Sequence, residues 1–535
     1  MPYDPSSWRI LNEPEPDDAL HDPGRVRRQG GSANVFTLRG LGNLGCLAFI
    51  VVAILALFAG YPVISHFTRK HKIVAAPALP ANTVNTTWPK PLENVPNLIG
   101  YNGLIDVETP QDVYTRPSYN DPTKTLQLVW SDEFNVEGRS FYPGDDPFWE
   151  ALDFHYWQTG DVEWYDPEAV TTMGGALELT LSRKDTHNLT YQGGMVTTWN
   201  KLCFTGGLVE TAVTLPGAPS VLGFWPAVWT MGNLGRVGYG ATTDGLWPYS
   251  YDSCDYGALP NQTLNGKPAA VLEPGAGDKY NGDQFSKLPG QRLSRCTCPG
   301  EDHPGPKHAD GTYVGRSSPE IDIFEAKVRS TIHGGVSSQT GQVAPFNYNY
   351  TWPDDAANYK ILSNTTELNT YRGGAYQQAI SAISTNNQSC YELTDGCFSV
   401  FAFEYKPGFD DSYITWVNNN EVTWKLLSGG LVADPIAQIS ARPIPQEPLY
   451  VIANFGMSDS FVKIDYDHLT FPAKMRIDYV RVYQPSNAIN VGCDPEDFPT
   501  KAYIDAHPEA YWNAQLTTWE QYGGQSPKNS LLDQC

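Results

Sequence analysis

The sequence predicts an all-β protein whose main domain is a β-sandwich with long loops, preceded by one transmembrane helix. From about Leu126 onward, short apolar and aromatic runs recur between turn residues, and several of them alternate as half-buried antiparallel strands do. No segment of comparable length in that region has the period of a helix. Residues 44–64, in contrast, form one continuous uncharged stretch.

The net charge and the aromatic content limit the classes of function. A formal net charge of −23 argues against a nucleic-acid partner, because nucleic-acid phosphates are repelled by an acidic surface. Aromatic residues make up 12% of the chain, including 15 Trp, and such residues suit clefts that stack on sugar rings. Cys296 and Cys298 are too closely spaced for the usual zinc ligands, so we expect no metal and no cofactor.

Three segments precede the sandwich. Residues 1–43 are rich in Pro, Asp and Arg and are expected to form a disordered cytosolic tail. Residues 44–66 are expected to form a transmembrane signal-anchor, because the apolar stretch is long enough to cross a bilayer and begins too far from Met1 for a cleaved signal peptide. A buried core helix is the alternative. Residues 67–125, with repeated Pro and Asn, are expected to form a stem and the start of the lumenal region.

Glycosylation motifs and cysteines predict the orientation of this anchor, since the flanking basic residues are nearly balanced. The pattern Asn-X-Ser/Thr occurs only beyond the anchor, at Asn85, Asn188, Asn261, Asn349, Asn364 and Asn387. Cys46 lies inside the anchor, and the other cysteines follow it: Cys203, Cys254, Cys296, Cys298, Cys390, Cys397, Cys493 and Cys535. Both patterns suit an oxidising compartment. We therefore expect a single-pass type II membrane protein of the secretory pathway, in the ER, the Golgi or the plasma membrane, whose large domain is lumenal or extracellular.

The large domain divides into a sandwich at residues 126–485 and a disulfide-linked C-terminal extension at residues 486–535. Residues 232–318 are too polar and too rich in Gly and Pro to be core, and loops of that length usually serve function or cover another part of the fold. From closeness in sequence alone, we predict the disulfides Cys390–Cys397 and Cys493–Cys535. Eight cysteines allow 105 pairings, so this prediction is a guess from proximity.

Residues 318–328, SPEIDIFEAKV, place three carboxylates among strand-forming residues. In a regular strand, Glu320 and Asp322 share one face, whereas Glu325 points to the opposite face. Because a charge in an apolar core is costly, we expect a β-bulge near Ile323 or Phe324. This extra residue returns Glu325 to the face of the other two acids.

Three acids on one face predict a catalytic site. A retaining glycosidase uses two carboxyl groups about 5–5.5 Å apart, one to attack the anomeric carbon and one to donate a proton. Glu320 and Glu325 fit these roles, and Asp322 between them would raise a neighbour's pKa by charge repulsion and hold a proton by hydrogen bonding. From spacing alone, a solvated acidic edge strand that prevents aggregation is the alternative.

Three further residues are candidates for substrate binding. Trp225 and Trp229 lie four residues apart in GFWPAVWTMGN, on one face of a strand or of a helix. Core packing is the default role for Trp, and Trp225 is the better cleft candidate of the two. His333 in STIHGG follows the acid strand and could be either a cleft residue or a structural hydrogen-bonding histidine.

Several motifs resemble a known family in order along the chain. Residues 320–325, EIDIFE, are similar to the signature of glycoside hydrolase family 16 in its bulged form, and so are residues 223–233 and the segment LVWSDEFN at 128–135. Within that family, residues 290–306, 441–461 and 469–485 resemble the fungal membrane proteins associated with β-1,6-glucan synthesis. The resemblance covers about residues 90–535.

This resemblance implies a concave β-jelly-roll and a role for each acid. It implies that Glu320 is the nucleophile, Asp322 the modulator and Glu325 the acid/base, and that Trp225 and Trp229 line or back the cleft. The expected function is a membrane-anchored glycosidase or transglycosidase that acts on β-glucan in fungal cell-wall biogenesis, with other wall-synthesis proteins as further partners. A non-catalytic glucan-binding scaffold and a structural glycoprotein of the cell surface are the alternatives.

Overall fold

A computed structural model describes residues 98–99, 103–273 and 277–535. These residues belong to one compact unit. The expected tail, the anchor, Cys46 and Asn85 lie outside the described residues. Within the described ranges, no helix has both the length and the apolar character to cross a membrane.

The described part of the chain is built mainly from strands, which are numbered here in chain order. They are β1 Leu98–Ile99, β2 Ile105–Asp106, β3 Thr115–Pro117, β4 Thr125–Asp132, β5 Glu150–Ala151, β6 Glu163–Tyr165, β7 Val170–Thr172, β8 Leu177–Thr186, β9 Leu189–Thr197, β10 Gly207–Thr214, β11 Trp225–Gly232, β12 Glu320–Arg329, β13 Gly334–Val343, β14 Tyr359–Ile361, β15 Thr366–Leu368, β16 Gly373–Gly374, β17 Gln377–Thr385, β18 Ser399–Lys406, β19 Tyr413–Asn418, β20 Glu421–Leu427, β21 Leu449–Gly456 and β22 Ala473–Gln484. The α-helices are short, α1 Gly240–Thr243, α2 Lys501–Ala506 and α3 Pro508–Trp512.

Single turns of 3₁₀-helix occur in the connections. They are Gln111–Val113, Trp157–Thr159, Pro167–Ala169, Tyr256–Ala258, Pro260–Gln262, Ala269–Leu272, Lys279–Asn281, Tyr348–Tyr350, Ser428–Leu431 and Ser530–Leu532. The predicted all-β class is therefore confirmed.

Two antiparallel sheets face each other across the core. The first, called the site sheet, has the order β5–β9–β21–β11–β12–β13–β17, with β15 and β16 on the outer edge of β17. The second has the order β14–β20–β19–β18–β10–β22, and β22 pairs with β4 over one half and with β8 over the other. The β8–β9 hairpin joins the sheets, which gives a jelly-roll-like sandwich.

Apolar and aromatic side chains from both sheets fill the space between them. Ile321, Ile323 and Phe324 of β12 are fully buried there, and the Phe324 ring packs on Phe401 of β18 with centroids 4.3 Å apart. Removing such side chains from water is the main stabilising contribution to a sandwich of this kind. The core therefore fixes β12 from behind and leaves its other face for polar groups.

Part of the segment that the sequence places in the stem lies on the sandwich. Strand β3, Thr115–Pro117, pairs with β4, and Ser118 donates a hydrogen bond to Glu404 of β18 at 2.6 Å. Arg116 forms an ion pair with Glu210 of β10. Residues 103–125 are thus folded onto the second sheet, because they offer a strand and polar partners that composition alone did not reveal.

Four disulfides connect the eight cysteines of the described residues. The predicted bond Cys390–Cys397 is confirmed. The predicted bond Cys493–Cys535 is wrong, and the remaining pairs are Cys203–Cys493, Cys254–Cys296 and Cys298–Cys535. The extension folds back onto residues 203–298, so cysteines distant in sequence become neighbours, and closeness in sequence selects the wrong partner.

Candidate active site

The acid strand β12 contains the predicted β-bulge. Against β11, Glu325 pairs with Ala227 and Phe324 with Val228, but the next pair joins Trp229 to Asp322, so that Ile323 is the extra residue. The pairing with β13 is interrupted at the same point. Two side chains satisfy the displaced backbone, since Gln339 donates to the carbonyl of Ile323 at 3.0 Å and Trp416 to that of Asp322 at 2.8 Å.

The bulge places the three acids in one row. Glu320, Asp322 and Glu325 lie opposite Met231, Trp229 and Ala227, which alternate along β11 and therefore share one face. On the other side, the acids pair with Gln342, Thr340 and Ser338 of β13. We call Glu320, Asp322 and Glu325 the acid row. The predicted face for Glu325 is confirmed.

Two indole groups hold the outer carboxylates of the acid row. Trp247, from the long loop after β11, donates its Nε1–H to Glu320 Oε2 at 2.5 Å. Trp225, at the start of β11, donates its Nε1–H to Glu325 Oε1 at 3.2 Å. Both glutamates are half-buried, whereas Asp322 is 1% exposed. Each glutamate thus keeps one fixed donor and an exposed portion.

Burial controls the protonation of the row. Desolvation raises the pKa of Glu320 to about 8, opposed by the Trp247 hydrogen bond and assisted by repulsion from Glu325. Desolvation also raises the pKa of Asp322 well above its usual range, with repulsion from Glu320 and Glu325 as the next causes. The pKa of Glu325 is raised by desolvation as well. The row therefore retains protons near neutral pH.

Asp322 acts on Glu320 in the opposite sense to the one the sequence suggests. The hydrogen bond between them lowers the pKa of Glu320 and raises that of Asp322, so the proton stays on the central acid and is donated to Glu320. A fully buried carboxyl is more costly to ionise than a half-buried one. Asp322 thus supports an ionised Glu320 rather than raising its pKa by repulsion.

Two aromatic side chains and one lysine lie next to Glu325. Phe461 stacks on Trp225 with ring centroids 4.2 Å apart, and the Lys327 ammonium lies 4.4 Å from the centroid of Phe461. Lys327 follows Glu325 by two residues and so shares its face. After desolvation, Lys327 is the largest influence on the pKa of Glu325, and it lowers that pKa.

Trp229 occupies a different environment from Trp225. It is 7% exposed and donates its Nε1–H to Asn454 Oδ1 at 2.8 Å. Asn454 in turn donates to the Tyr165 hydroxyl at 3.1 Å, and Tyr165 donates to Asp161 at 2.8 Å. Trp229 is therefore a buried neighbour of Asp322 on the face of the acid row, whereas Trp225 lies at the half-exposed end of the row.

A second pair of acids lies at the end of this hydrogen-bond chain. Asp161 and Glu163 are 5% and 0% exposed, and we call them the sealed pair. Desolvation raises the pKa of Asp161 to about 6, and it raises that of Glu163 well above its usual range. Glu163 accepts a hydrogen bond from the Met457 backbone at 3.0 Å. The pair is thus enclosed by protein groups.

His333 is not brought to the acid row. It lies in the exposed turn between β12 and β13, with a backbone φ of 46°. Glu325 lies near the middle of β12, four residues before the strand ends at Arg329. His333 is close to the acids in sequence only because the turn that contains it connects β12 to β13.

Sequence reasoning missed Trp247 and Lys327. Trp247 lies in DGLWPYSY, where a cluster of aromatic residues within the long loop was the available signal. Alternation from Glu325 places Lys327 on the same face, so its position was readable from the bulge prediction. The contact of Trp247 with Glu320 depends on the path of a long loop, which no local pattern specifies.

The described glycosylation motifs lie at the surface. Four of the asparagines are exposed, namely Asn188, Asn261, Asn349 and Asn364, and Asn387 is half-exposed. Three of them, at positions 188, 261 and 349, have positive φ and lie in tight turns. Their accessibility is what N-glycosylation requires, and modification itself stays a prediction.

Comparison with known proteins gives consistent sequence matches. A protein-family model described as beta-glucan synthesis-associated protein SKN1/KRE6/Sbg1 matches residues 8–535. The chain is 43% identical over 540 residues to the beta-glucan synthesis-associated protein SKN1 of Saccharomyces cerevisiae, covering 98% of this chain and 66% of the relative. It is 41% identical over 544 residues to KRE6 of the same yeast, covering 100% of this chain and 71% of the relative.

The chain spans slightly less than two thirds of the length of the first of these relatives. Among solved structures, it is similar to the laminarinase catalytic domain from Thermotoga maritima, with a TM-score of 0.38 and 18% identity over 67% of this chain and 98% of that domain. That score is too low to establish the fold, which rests instead on the strand pairings described above.

Proposed function

The chain belongs to the SKN1/KRE6/Sbg1 family of beta-glucan synthesis-associated proteins, and from this premise we propose that it is a retaining glycosidase or transglycosidase that acts on β-glucan during fungal cell-wall biogenesis. The observation that carries the proposal is the bulge at Ile323, which aligns Glu320, Asp322 and Glu325 on one face. A strand that serves only to prevent aggregation has no need of this alignment, and β12 lies inside the site sheet rather than at its edge.

The first chemical step forms a glycosyl-enzyme. An oxygen of Glu320 attacks the anomeric carbon of a β-linked glucose unit, the bond from that carbon to the leaving oxygen breaks, and Glu325 gives its proton to that oxygen. Attack requires ionised Glu320, and the hydrogen bonds from Trp247 and from protonated Asp322 lower its pKa, against the desolvation that raises this pKa to about 8. Desolvation raises the pKa of Glu325, which favours the protonated form that the acid role requires.

The second step returns the enzyme to its starting state. The hydroxyl of an acceptor gives its proton to Glu325, its oxygen attacks the anomeric carbon, and the ester bond to Glu320 breaks. With water as acceptor, the result is hydrolysis. With a sugar hydroxyl as acceptor, the result is a new glycosidic bond, which suits a role in building a wall polymer.

Product length tests the proposal. Purified full-length protein is incubated with β-1,3-linked and, separately, β-1,6-linked gluco-oligosaccharides, and the products are separated by size, with Glu320→Gln as the matched inactive variant. We expect longer products from transfer or shorter ones from hydrolysis, and none from the variant. Unchanged oligosaccharides of both linkages would instead identify a glucan-binding scaffold and refute the enzymatic proposal.

We further propose that residues 44–64 anchor the protein and that the folded domain faces the lumen. The support is the position of the glycosylation motifs and of four disulfides, which form in oxidising compartments. Protease added to intact microsomes should remove only about the first 43 residues, and endoglycosidase treatment should increase gel mobility. Digestion of the large domain in sealed vesicles would reverse the proposed orientation.

A further inference from the structure

The donor to Glu320 comes from a loop outside the site sheet. We call residues 233–247 the donor loop, which leaves β11, forms α1 and ends at Trp247. Trp247 donates to Glu320 Oε2 at 2.5 Å, and its own backbone N–H donates to Thr243 O at 2.9 Å. The position of the indole therefore depends on the position of α1.

The C-terminal extension holds α1 directly. The backbone N–H of Ala241 donates to Leu516 O at 3.0 Å, and the backbone N–H of Trp519 donates to Asp244 Oδ2 at 2.9 Å. Gly240 lies so close to the extension that a Cβ there would be 2.7 Å from Thr517 O. Such a contact leaves room for glycine alone unless the two segments separate.

The first part of the donor loop is held by a second group of contacts. Arg236 is 2% exposed and donates to Tyr511 O at 2.6 Å, while the Tyr511 hydroxyl donates to Leu234 O at 2.6 Å. The Arg236 guanidinium also lies 4.4 Å from the ring centroid of Trp512. Helix α3, which carries Tyr511 and Trp512, thus binds the loop through a buried cation and two backbone carbonyls.

Disulfides fix the extension to the body at both ends. Cys203–Cys493 attaches its beginning to the segment before β10, and Cys298–Cys535 attaches its end to the long loop. Arg292 adds a contact between them, with its guanidinium 3.7 Å from the ring centroid of Trp519. The surface that supports the donor loop is therefore covalently anchored.

We propose that the C-terminal extension is a positioning element of the active site, which holds the donor loop so that the Trp247 indole N–H stays on Glu320. Trp247 is accordingly a positioning residue for the carboxylate that the proposed function makes the nucleophile, and the inference rests on that function. The extension supports a hydrogen bond to the reacting group as well as adding to stability.

The pKa of Glu320 distinguishes the two roles of the extension. If the extension only stabilised the fold, changes in its contacts with the donor loop would leave this pKa unchanged. The groups that face Glu320 are Asp322 and Glu325 of β12, Tyr156 ahead of the turn at 157–159, and Tyr450 of β21. Asp322, Glu325 and Tyr156 lie outside the donor loop, whereas the Tyr450 hydroxyl contacts it, accepting from the Val237 N–H at 3.0 Å and donating to Gly235 O at 3.1 Å. Removing the indole donor should raise the pKa of Glu320, because a donor stabilises the ionised carboxylate.

Titration of the full-length protein tests the proposal without substrate. The Glu320 carboxyl is followed by ¹³C NMR and assigned by its loss in Glu320→Gln. Trp247→Phe keeps the ring but removes the donor, and Gly240→Ala pushes α1 from the extension. We expect both variants to raise the Glu320 pKa, by about one pH unit for the lost donor, and the double variant to move it no further than Trp247→Phe.

Gly334→Ala is the matched control, since its methyl group would meet the flexible end of Gln388 at 3.3 Å and make ordinary van der Waals contact with the exposed Ile332 side chain at 3.6 Å. It should leave the pKa of Glu320 unchanged. Asp244→Ala, which removes the acceptor of the Trp519 N–H, makes the same test if Gly240→Ala does not fold. An unchanged pKa in Trp247→Phe, or shifts that add in the double variant, would overturn the proposal. Absence of turnover in the wild type would instead refute the proposed function and leave this titration interpretable.

Discussion

Two groups of buried carboxyls, the acid row on β12 and the sealed pair at and just before β6, differ in what surrounds them. In both the acid row and the sealed pair, burial is the largest cause of raised pKa values. Glu320 and Glu325 are half-exposed and are each held by one indole N–H. Asp161 is 5% exposed and receives the hydroxyls of Thr159 and Tyr165.

The comparison shows that a perturbed pKa does not by itself mark a reacting group. A catalytic carboxyl must also reach the substrate, and it must alternate between two protonation states without loss of its partners. Glu320 and Glu325 of the acid row are half-exposed and so accessible to a substrate, whereas the sealed pair is enclosed by the backbone of Met457 and by neighbouring side chains. We therefore assign chemistry to the first group and fold maintenance to the second.

The largest expected difference is in turnover. Glu320→Gln should reduce turnover by about 10⁴-fold or more, because the amide keeps the shape but cannot form the glycosyl ester. Glu163→Gln should retain turnover within a few-fold, provided that the protein folds. Both are measured with the oligosaccharide that the wild type converts. Wild-type turnover in Glu320→Gln would remove that residue from the mechanism.

Glu325 is distinguished from Glu320 and from the sealed pair by the dependence of its role on the leaving group. Glu325→Gln should slow a natural glucan by about 10²–10⁴-fold, since general-acid catalysis contributes that much. An aryl glycoside with an activated leaving group should be slowed far less in its first step, because its departure needs no proton. The ratio of the two rate losses is the measurement. Equal losses on both substrates would contradict the acid role.

The sealed pair should affect the pH dependence of stability. The pKa of Asp161 is raised to about 6 in the folded state from 3.8, so the folded state binds more protons and stability falls as pH rises through this window. The loss amounts to about 3 kcal/mol of unfolding free energy. Asp161→Asn should lose less stability than the wild type between pH 4 and about 7 in urea unfolding. Parallel losses in both proteins would mean that Asp161 does not titrate in this window.

The smallest expected effect concerns the charge beside Glu325. Lys327→Met keeps an unbranched side chain over Phe461 but removes the cation, so the pKa of Glu325 should rise. Since Glu325 acts in its protonated form, the basic limb of kcat/KM should move to higher pH. Lys327→Arg keeps the charge and serves as the control. A uniform loss of activity without a shift would indicate packing alone.

Sequence reasoning predicted the acid row because its signals are local. Alternation, the cost of a buried charge and the apolar residues Ile321, Ile323 and Phe324 together required a bulge, and the strand pairing confirms it. The sandwich was predictable for the same reason, since each strand carries its own pattern. The last strand of the sandwich, β22, ends at Gln484, one residue before the expected boundary.

The contacts of the long loop at residues 232–318 and of the extension at residues 486–535 could not be predicted from the sequence. These two segments have little regular secondary structure, and their contacts join residues that are distant in sequence. Arg236 reaches Tyr511, and Trp247 reaches Glu320, with no period or motif that relates the partners. The wrong pairing of Cys493 has the same origin, since its partner is 290 residues away in sequence. Local patterns specify strands, whereas such contacts follow from the packing of the whole domain.

The disulfide Cys203–Cys493 cannot form until Cys493 has been synthesised, long after Cys203. At about 5–20 residues per second, a ribosome needs roughly 15–60 s to make the 290 residues between them. During that interval the Cys203 thiol has no native partner, while Cys254, Cys296 and Cys298 emerge before Cys493. Maturation in a cell therefore requires either protection of this thiol or later exchange of a provisional bond, so thiol-exchange catalysts should determine the yield of native protein.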